Sequence, residues 1–287
     1  MIYLALSILS SSFIFVVFKL FTRYKVETLF AIVVNYVVAC SVGLFFYKGD
    51  VSLFEIPKKP WFLGTVALGL LFILVFNLMA ATAQRLGVSV ASVATKMSLA
   101  IPVLFGVAVY HEVLGPLKII GILLALVAVY FASAKDKAIS VRKASLLLPL
   151  SVFLGSGIID TSIKYIQEFH VKEDDYPIFS ATVFAAAAVT GIVFIGIKSL
   201  KKPIKISIRN VLGGIALGVP NYFSIYFLLK ALQHDSLNSA SVFTINNVAI
   251  VMFSTLLGIV LFKEHISVKN WTGIGLAVVS IVLVAFF

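Results

Sequence analysis

The stretch "LGTVALGLLFILVFNLMAATAQ" (residues 63–84) returns, altered but without a gap, as "LGGIALGVPNYFSIYFLLKALQ" (residues 212–233). Leu63, Gly64, Ala67, Leu68, Gly69 and Gln84 recur as Leu212, Gly213, Ala216, Leu217, Gly218 and Gln233. Downstream, "VASVATKMS" (90–98) is answered by "SASVFTINN" (239–247), and "HEVLGPLKIIGILLALVAV" (111–129) by "KEHISVKNWTGIGLAVVSI" (263–281). Upstream, "SSSFIFVVFKLF" (10–21) places Lys19 where "GSGIIDTSIKYI" (155–166) places Lys164. Self-similarity on this scale means one structural unit written twice.

The solvent of that unit follows from composition. The chain is 61% hydrophobic and 12% charged, with a mean hydropathy of +1.11. A soluble domain is about 45–50% apolar and about 25% charged. A helix needs about 20 apolar residues to cross the ~30 Å of hydrocarbon in a bilayer. Ten runs qualify, roughly 2–21, 28–47, 61–83, 88–109, 116–134, 145–166, 177–198, 211–232, 237–262 and 268–286. They are continuous rather than alternating, which selects helices over barrel strands. The expected fold class is all-α integral membrane: ten transmembrane helices as two five-helix inverted repeats, 1–134 and 145–287, joined by a basic loop at 135–144. Because five is odd, the second copy enters the membrane with opposite orientation, a construction associated with secondary transport.

Several function classes drop out. The opening "MIYLALSILSSSFIFVVF" lacks a basic n-region and is too long for a signal h-region, so it is read as a helix. Cys40 is the lone cysteine, and His111, His170, His234 and His265 lie outside the spans, so no disulfide or metal site is expected. No phosphate-binding loop or nucleophile elbow is present, which argues against an enzyme, a cofactor or an ATP-driven pump. The formal charge of +11 belongs to short loops that set orientation, and no nucleic acid is implied.

The corners "YHEVLGPLKIIGILLALVAV", with Glu112 and Gly121, and "FKEHISVKNWTGIGLAVVSI", with Glu264 and Gly273, carry a family resemblance. With ten spans in a 5+5 arrangement, the chain resembles the EamA-like branch of the drug/metabolite transporter superfamily. "SSSFIFVVFKL" is similar to that family's first span but lacks the tryptophan often found there. The resemblance implies a carrier in which helices of both halves enclose a central cavity. It leaves the substrate undefined across amino acids, sugars, nucleosides and drugs.

A charge at mid-bilayer costs at least ~2.5–3.5 kcal/mol, so each such group needs a partner or an aqueous cavity. Lys96 lies about 12 Å inside the fourth span and is read as a cation facing an anionic substrate group. The alternative is a buried lysine paired structurally with a carboxylate. Asp160, about 9 Å inside the sixth span, is a proton-coupling candidate, a partner for Lys96, or half of an i, i+4 pair with Lys164. Asn221 and Tyr222 follow Pro220, which can kink or open the eighth span and expose carbonyls. Asn246 and Asn247 align beside Lys96 across the repeat, where a midplane site would lie. Asn77 joins this substrate-binding set, and Asn35 is read as a packing amide. Glu112 and Glu264 are read as structural, capping or neutralising helix starts. Lys19 and Lys230, near span ends, are read as snorkelling.

The expected function is gradient-driven movement of a small polar or amphipathic metabolite by a monomer in the plasma (inner) membrane, the small-molecule substrate and the lipid bilayer being its partners. Two other readings stay open: a non-transporting enzyme or scaffold on the same fold, and a carrier of hydrophobic drugs or lipids. Loop charges and resemblance disagree on orientation. The odd-numbered loops hold Arg23, Lys25, Arg85, Lys135, Lys137, Arg142, Lys143 and others, whereas the even-numbered loops include the acidic "EFHVKEDDYP". Positive-inside reasoning puts the odd loops in the cytoplasm and both termini outside; the resemblance would put both termini inside. We follow the loop charges because they belong to this chain. A topology reporter fused after Phe287 should therefore report a non-cytoplasmic location. A cytoplasmic signal at that position would restore the arrangement that the resemblance implies.

Overall fold

A computed structural model describes residues 2–47, 54–110, 115–133, 144–172, 175–201, 207–232 and 239–286. The helices, in chain order, are α1 (Ile2–Arg23), α2 (Thr28–Phe46), α3 (Phe62–Arg85), α4 (Val88–Met97), α5 (Ala100–Tyr110), α6 (Pro116–Ser133), α7 (Ala144–His170), α8 (Tyr176–Lys201), α9 (Ile208–Leu232), α10 (Ser239–Phe262) and α11 (Val268–Phe286). Among the described residues, eight segments are long and apolar enough to cross a membrane, with α4 and the start of α5 forming one of them. The cores of α6 and α11, Ile119–Ala132 and Val268–Val284, are shorter apolar helices. Together they make the ten-helix membrane fold.

One span departs from the continuous run expected at 88–109. Helix α4 stops at Met97, Ser98 and Leu99 form a turn, and α5 restarts at Ala100. Pro102 explains the break, because it has no N–H to donate and its ring clashes with the carbonyl four residues earlier, at Ser98. Pro220, expected to kink or open its helix, lies inside α9, which is assigned as helix throughout. Helix α7 runs on to His170, four residues past the apolar run ending at 166, because helical backbone continues into the polar "QEFH".

The repeat is visible in the choice of neighbours. Helix α9 lies against α1 and α2, and its counterpart α3 lies against α7 and α8. The equivalent helices α2 and α8 pack on each other, as do α6 and α11. The two halves thus share one packed bundle, each supplying neighbours for the other's helices.

Equivalent glycines make these crossings tight. A Cβ at Gly69 on α3 would come 2.6 Å from the backbone of Ala186 and Ala187 on α8. At the matching Gly218 on α9 it would come 2.8 Å from the Asn35 carbonyl oxygen on α2. Gly121 and Gly273, the corner glycines, bring α6 and α11 together: a Cβ at Gly121 would come 2.9 Å from Leu283, and one at Gly273 would strike the backbone of Phe131 and Ala132. That seam is closed by hydrogen bonds. The Ser280 hydroxyl donates to the Gly121 carbonyl at 2.7 Å, and the Asn270 amide donates to the carbonyls of Phe131 (3.1 Å) and Ala132 (2.8 Å). Lipid tails are as apolar as leucine, so close approach and interhelical hydrogen bonds, rather than apolar burial, hold such helices together.

Gly69→Val should lower the melting temperature of the detergent-solubilised protein, because overpacking a tight contact costs about 1–3 kcal/mol. Gly196→Ala is the control, since a Cβ there meets nothing within 4 Å. Indistinguishable melting of the two variants would contradict the close α3–α8 crossing.

Candidate functional site

The break in the fourth span creates the site. Lys96 occupies the last turn of α4, eight residues in from Val88 and so about 12 Å from that helix end. A helix C-terminus carries unpaired carbonyls and partial negative charge, which suits a cation in its last turn. Across from it, on α7, stands Asp160, and the two side chains interact electrostatically. Asp160 lies six residues, about 9 Å, from the end of the apolar run at 166, and α7 continues four polar residues further to His170. The Ser98 hydroxyl, in the break itself, is 3.5 Å from Asp160 Oδ2 and donates to the Thr95 carbonyl at 2.6 Å.

Glycines on α7 set this geometry. Gly155 lies against Val75 of α3, and Gly157 against Ile101 of α5, so α7 nests beside the broken helix. Leu147, Leu150, Leu154 and Ile158 form an exposed apolar stripe on α7, the face a bilayer would cover. Asp160 is about 200° around the helix from Ile158. It nevertheless remains exposed, on a face away from that stripe. One turn back, Ser156 is buried and its hydroxyl has no hydrogen-bond partner among the described residues; the same is true of Ser12 on α1. Lys164 sits one turn further out, exposed.

The amides have mixed placements. Asn246 is buried on α10, where its Oδ1 is 3.2 Å from the Ser7 hydroxyl of α1, itself 2.8 Å from the Ser224 carbonyl of α9. Asn247 is half-buried beside it. Asn221 is buried and donates to Asn35 Oδ1 at 3.1 Å, tying α9 to α2, while Asn77 donates to the Ile73 carbonyl of its own helix at 2.8 Å. Tyr222 stacks on Phe46 and Tyr226. Among the described residues, Lys96, Asp160 and Ser98 come together, and Asn221, Tyr222 and Asn77 make no hydrogen bond to that group. Sequence reasoning missed Ser98, although Pro102, four residues on, marks the break in which it lies.

A second polar centre lies at the odd-loop end. Glu264 does not cap the helix that follows it. It reaches across the repeat to the N-terminus of α4, where the Val88 N–H donates to Oε1 (2.9 Å) and Oε2 (3.2 Å). Lys19 of α1 is 3.6 Å from Oε1 and donates to the Gln84 carbonyl at 3.3 Å, so it is paired rather than snorkelling. Gly87, at φ 120°, and Gly258 clear the space: a Cβ would come 2.9 Å and 2.6 Å, respectively, from Glu264 Oε2. Glu112, the counterpart, lies outside the described residues. The two repeats differ here. Helix α1 packs on both α3 and α4, but α7 makes no comparable contact with α9 or α10 among the described residues. The α1 contacts, with the Glu264 bonds, draw α1, α3 and α4 together at the odd-loop end.

Comparison with known proteins adds the family. An uncharacterized protein of Haemophilus influenzae is 31% identical over 280 residues, covering 94% of this chain and 93% of that one. A solved crystal structure, 16% identical and matched over 98% of each chain, superposes with a TM-score of 0.58 and shares the fold. The model of the EamA-like transporter family matches residues 1–134 and 144–286. With that match spanning both repeats, the chain belongs to the EamA-like transporter family, whose members are membrane transporters of the drug/metabolite type.

Proposed function

We propose that the protein is a secondary active transporter that moves a small, amino-acid-like solute by alternating access, the solute being held at the α4–α5 break. The observation that carries this reading is the opposition of Lys96 and Asp160 at the α4–α5 break, with the Ser98 hydroxyl alongside and Ser156 one turn back on α7. A hydrophobic-drug path would gain nothing from two charges whose insertion costs at least ~2.5–3.5 kcal/mol each. An ammonium and a carboxylate across a gap complement a zwitterion. A solute carboxylate that takes Lys96 removes the counter-charge from Asp160, which is then free to take the solute's ammonium group or a proton. Broken helices at the bilayer midplane are a recurrent way to supply such polar groups.

The Glu264 contacts give this site a direction. Glu264 ties α1, α4 and α10 together at the odd-loop end, which we take as the closed gate. Loop charges assign the closed end to the cytoplasm. Opening it requires Glu264 to release both the Val88 amide and Lys19, and the inverted repeat provides equivalent helices that can close on the other side.

Screening the purified protein against metabolites by thermal stability tests the reading, since a ligand at 100 times its Kd adds about 2.7 kcal/mol. Stabilisation by an amino-acid-like solute that disappears in Lys96→Ala is the expected result. In proteoliposomes, Lys96→Ala should cut uptake of that solute at least tenfold, and unchanged uptake would sink the assignment. Asp160→Asn should leave a flat pH profile of uptake where the parent's varies; a retained profile would remove Asp160 from proton coupling. Glu264→Gln keeps an acceptor for Val88 but loses the ion pair with Lys19. Labelling of a cysteine introduced at the closed end should rise in that variant, whereas unaltered labelling would show that Glu264 does not govern closure.

A further inference from the structure

A cavity of about 610 Å³ lies between α1 and α9 at the odd-loop end, away from Lys96 and Asp160. Arg23, Lys25 and Arg209 stand on its rim, and Val17, Leu20, Leu212 and Ala216 line it below. We infer that this groove holds an anionic phospholipid, its phosphate between the three cations and an acyl chain along the apolar wall.

Charge and depth both select that occupant. No carboxylate lines the groove, and among the described residues none of the three cations has an ion-pair partner. The carboxylate nearest in sequence, Glu27, is already engaged: the Phe30 amide donates to it at 2.7 Å and the Lys198 ammonium at 2.9 Å. Arg209 is in the first turn of α9, where the helix dipole adds positive potential. The turn after α1, with Lys25 at φ 52°, returns the chain so that Arg23 and Lys25 share the rim. From Ile208, Ala216 is eight residues along α9, about 12 Å deeper, so the wall descends from headgroup level into hydrocarbon. Leu212 is 57% exposed and Ala216 is also exposed, leaving apolar surface for a chain to cover. A free phosphate would use the rim alone; a lipid uses the rim and the wall.

Native mass spectrometry and thermal stability, on the full chain in non-ionic detergent, test this with phosphatidylglycerol, phosphatidylcholine and glycerol 3-phosphate. Phosphatidylglycerol should remain bound and raise the melting temperature, and the other two should do neither. Replacing all three cations (R23Q, K25Q, R209Q) should weaken phosphatidylglycerol binding on the order of a hundredfold, at about fivefold per charge. Ala216→Trp should weaken it while leaving the charges in place. Equal stabilisation by the two lipids, or glycerol 3-phosphate binding as tightly as phosphatidylglycerol, would overturn the inference. Undiminished binding in the triple variant would do the same. Should that variant fail to fold, Arg209→Gln alone should show the fivefold loss, and an unchanged affinity would reject the site.

Discussion

In hydrocarbon no water completes a hydrogen bond, so every polar group inside the span must find its partner within the protein. The interhelical contacts of this molecule answer that constraint. Asn221 meets Asn35, Ser280 meets the Gly121 carbonyl, Asn270 takes the end of α6, and Glu264 supplies the start of α4. Each bond joins helices distant in the chain, so satisfying the polar groups and assembling the bundle are the same event. Small residues at the crossings permit this, since the donors are short and the backbones must come close.

The same constraint gives meaning to the groups it leaves open. Asp160 faces away from the apolar stripe of α7 yet remains exposed, and the hydroxyls of Ser12 and Ser156 are buried without partners among the described residues. A chain that pairs its polar atoms so thoroughly elsewhere carries these around the broken fourth span and the opposing first helix. The break, with Pro102 four residues after Ser98, lies in a span whose counterpart, α10, is unbroken.

Duplication produced equivalent scaffolds but unequal contacts. Gly69 and Gly218, and Gly121 and Gly273, occupy matching positions and make matching close contacts. Among the described residues, α1 packs on α3 and α4, whereas its counterpart α7 makes no comparable contact with α9 or α10.

Much of this was legible in residues alone. The repeat beginning at Leu63 and Leu212, the ten apolar runs and the isolation of Lys96 and Asp160 in them fixed the class of fold and drew attention to the pair. Hydropathy and periodicity act locally, and membrane insertion enforces them segment by segment. What sequence could not supply were partners: that Asn221 is taken by Asn35, that Glu264 serves α4 rather than the helix it precedes, and that Ser98 stands beside Asp160. Those are distances between segments far apart in the chain, set by how glycine-lined helices cross. A span's apolar composition says that it enters the membrane; only the crossing angles and contacts of the assembled bundle decide which of its polar atoms are consumed and which remain to meet a solute.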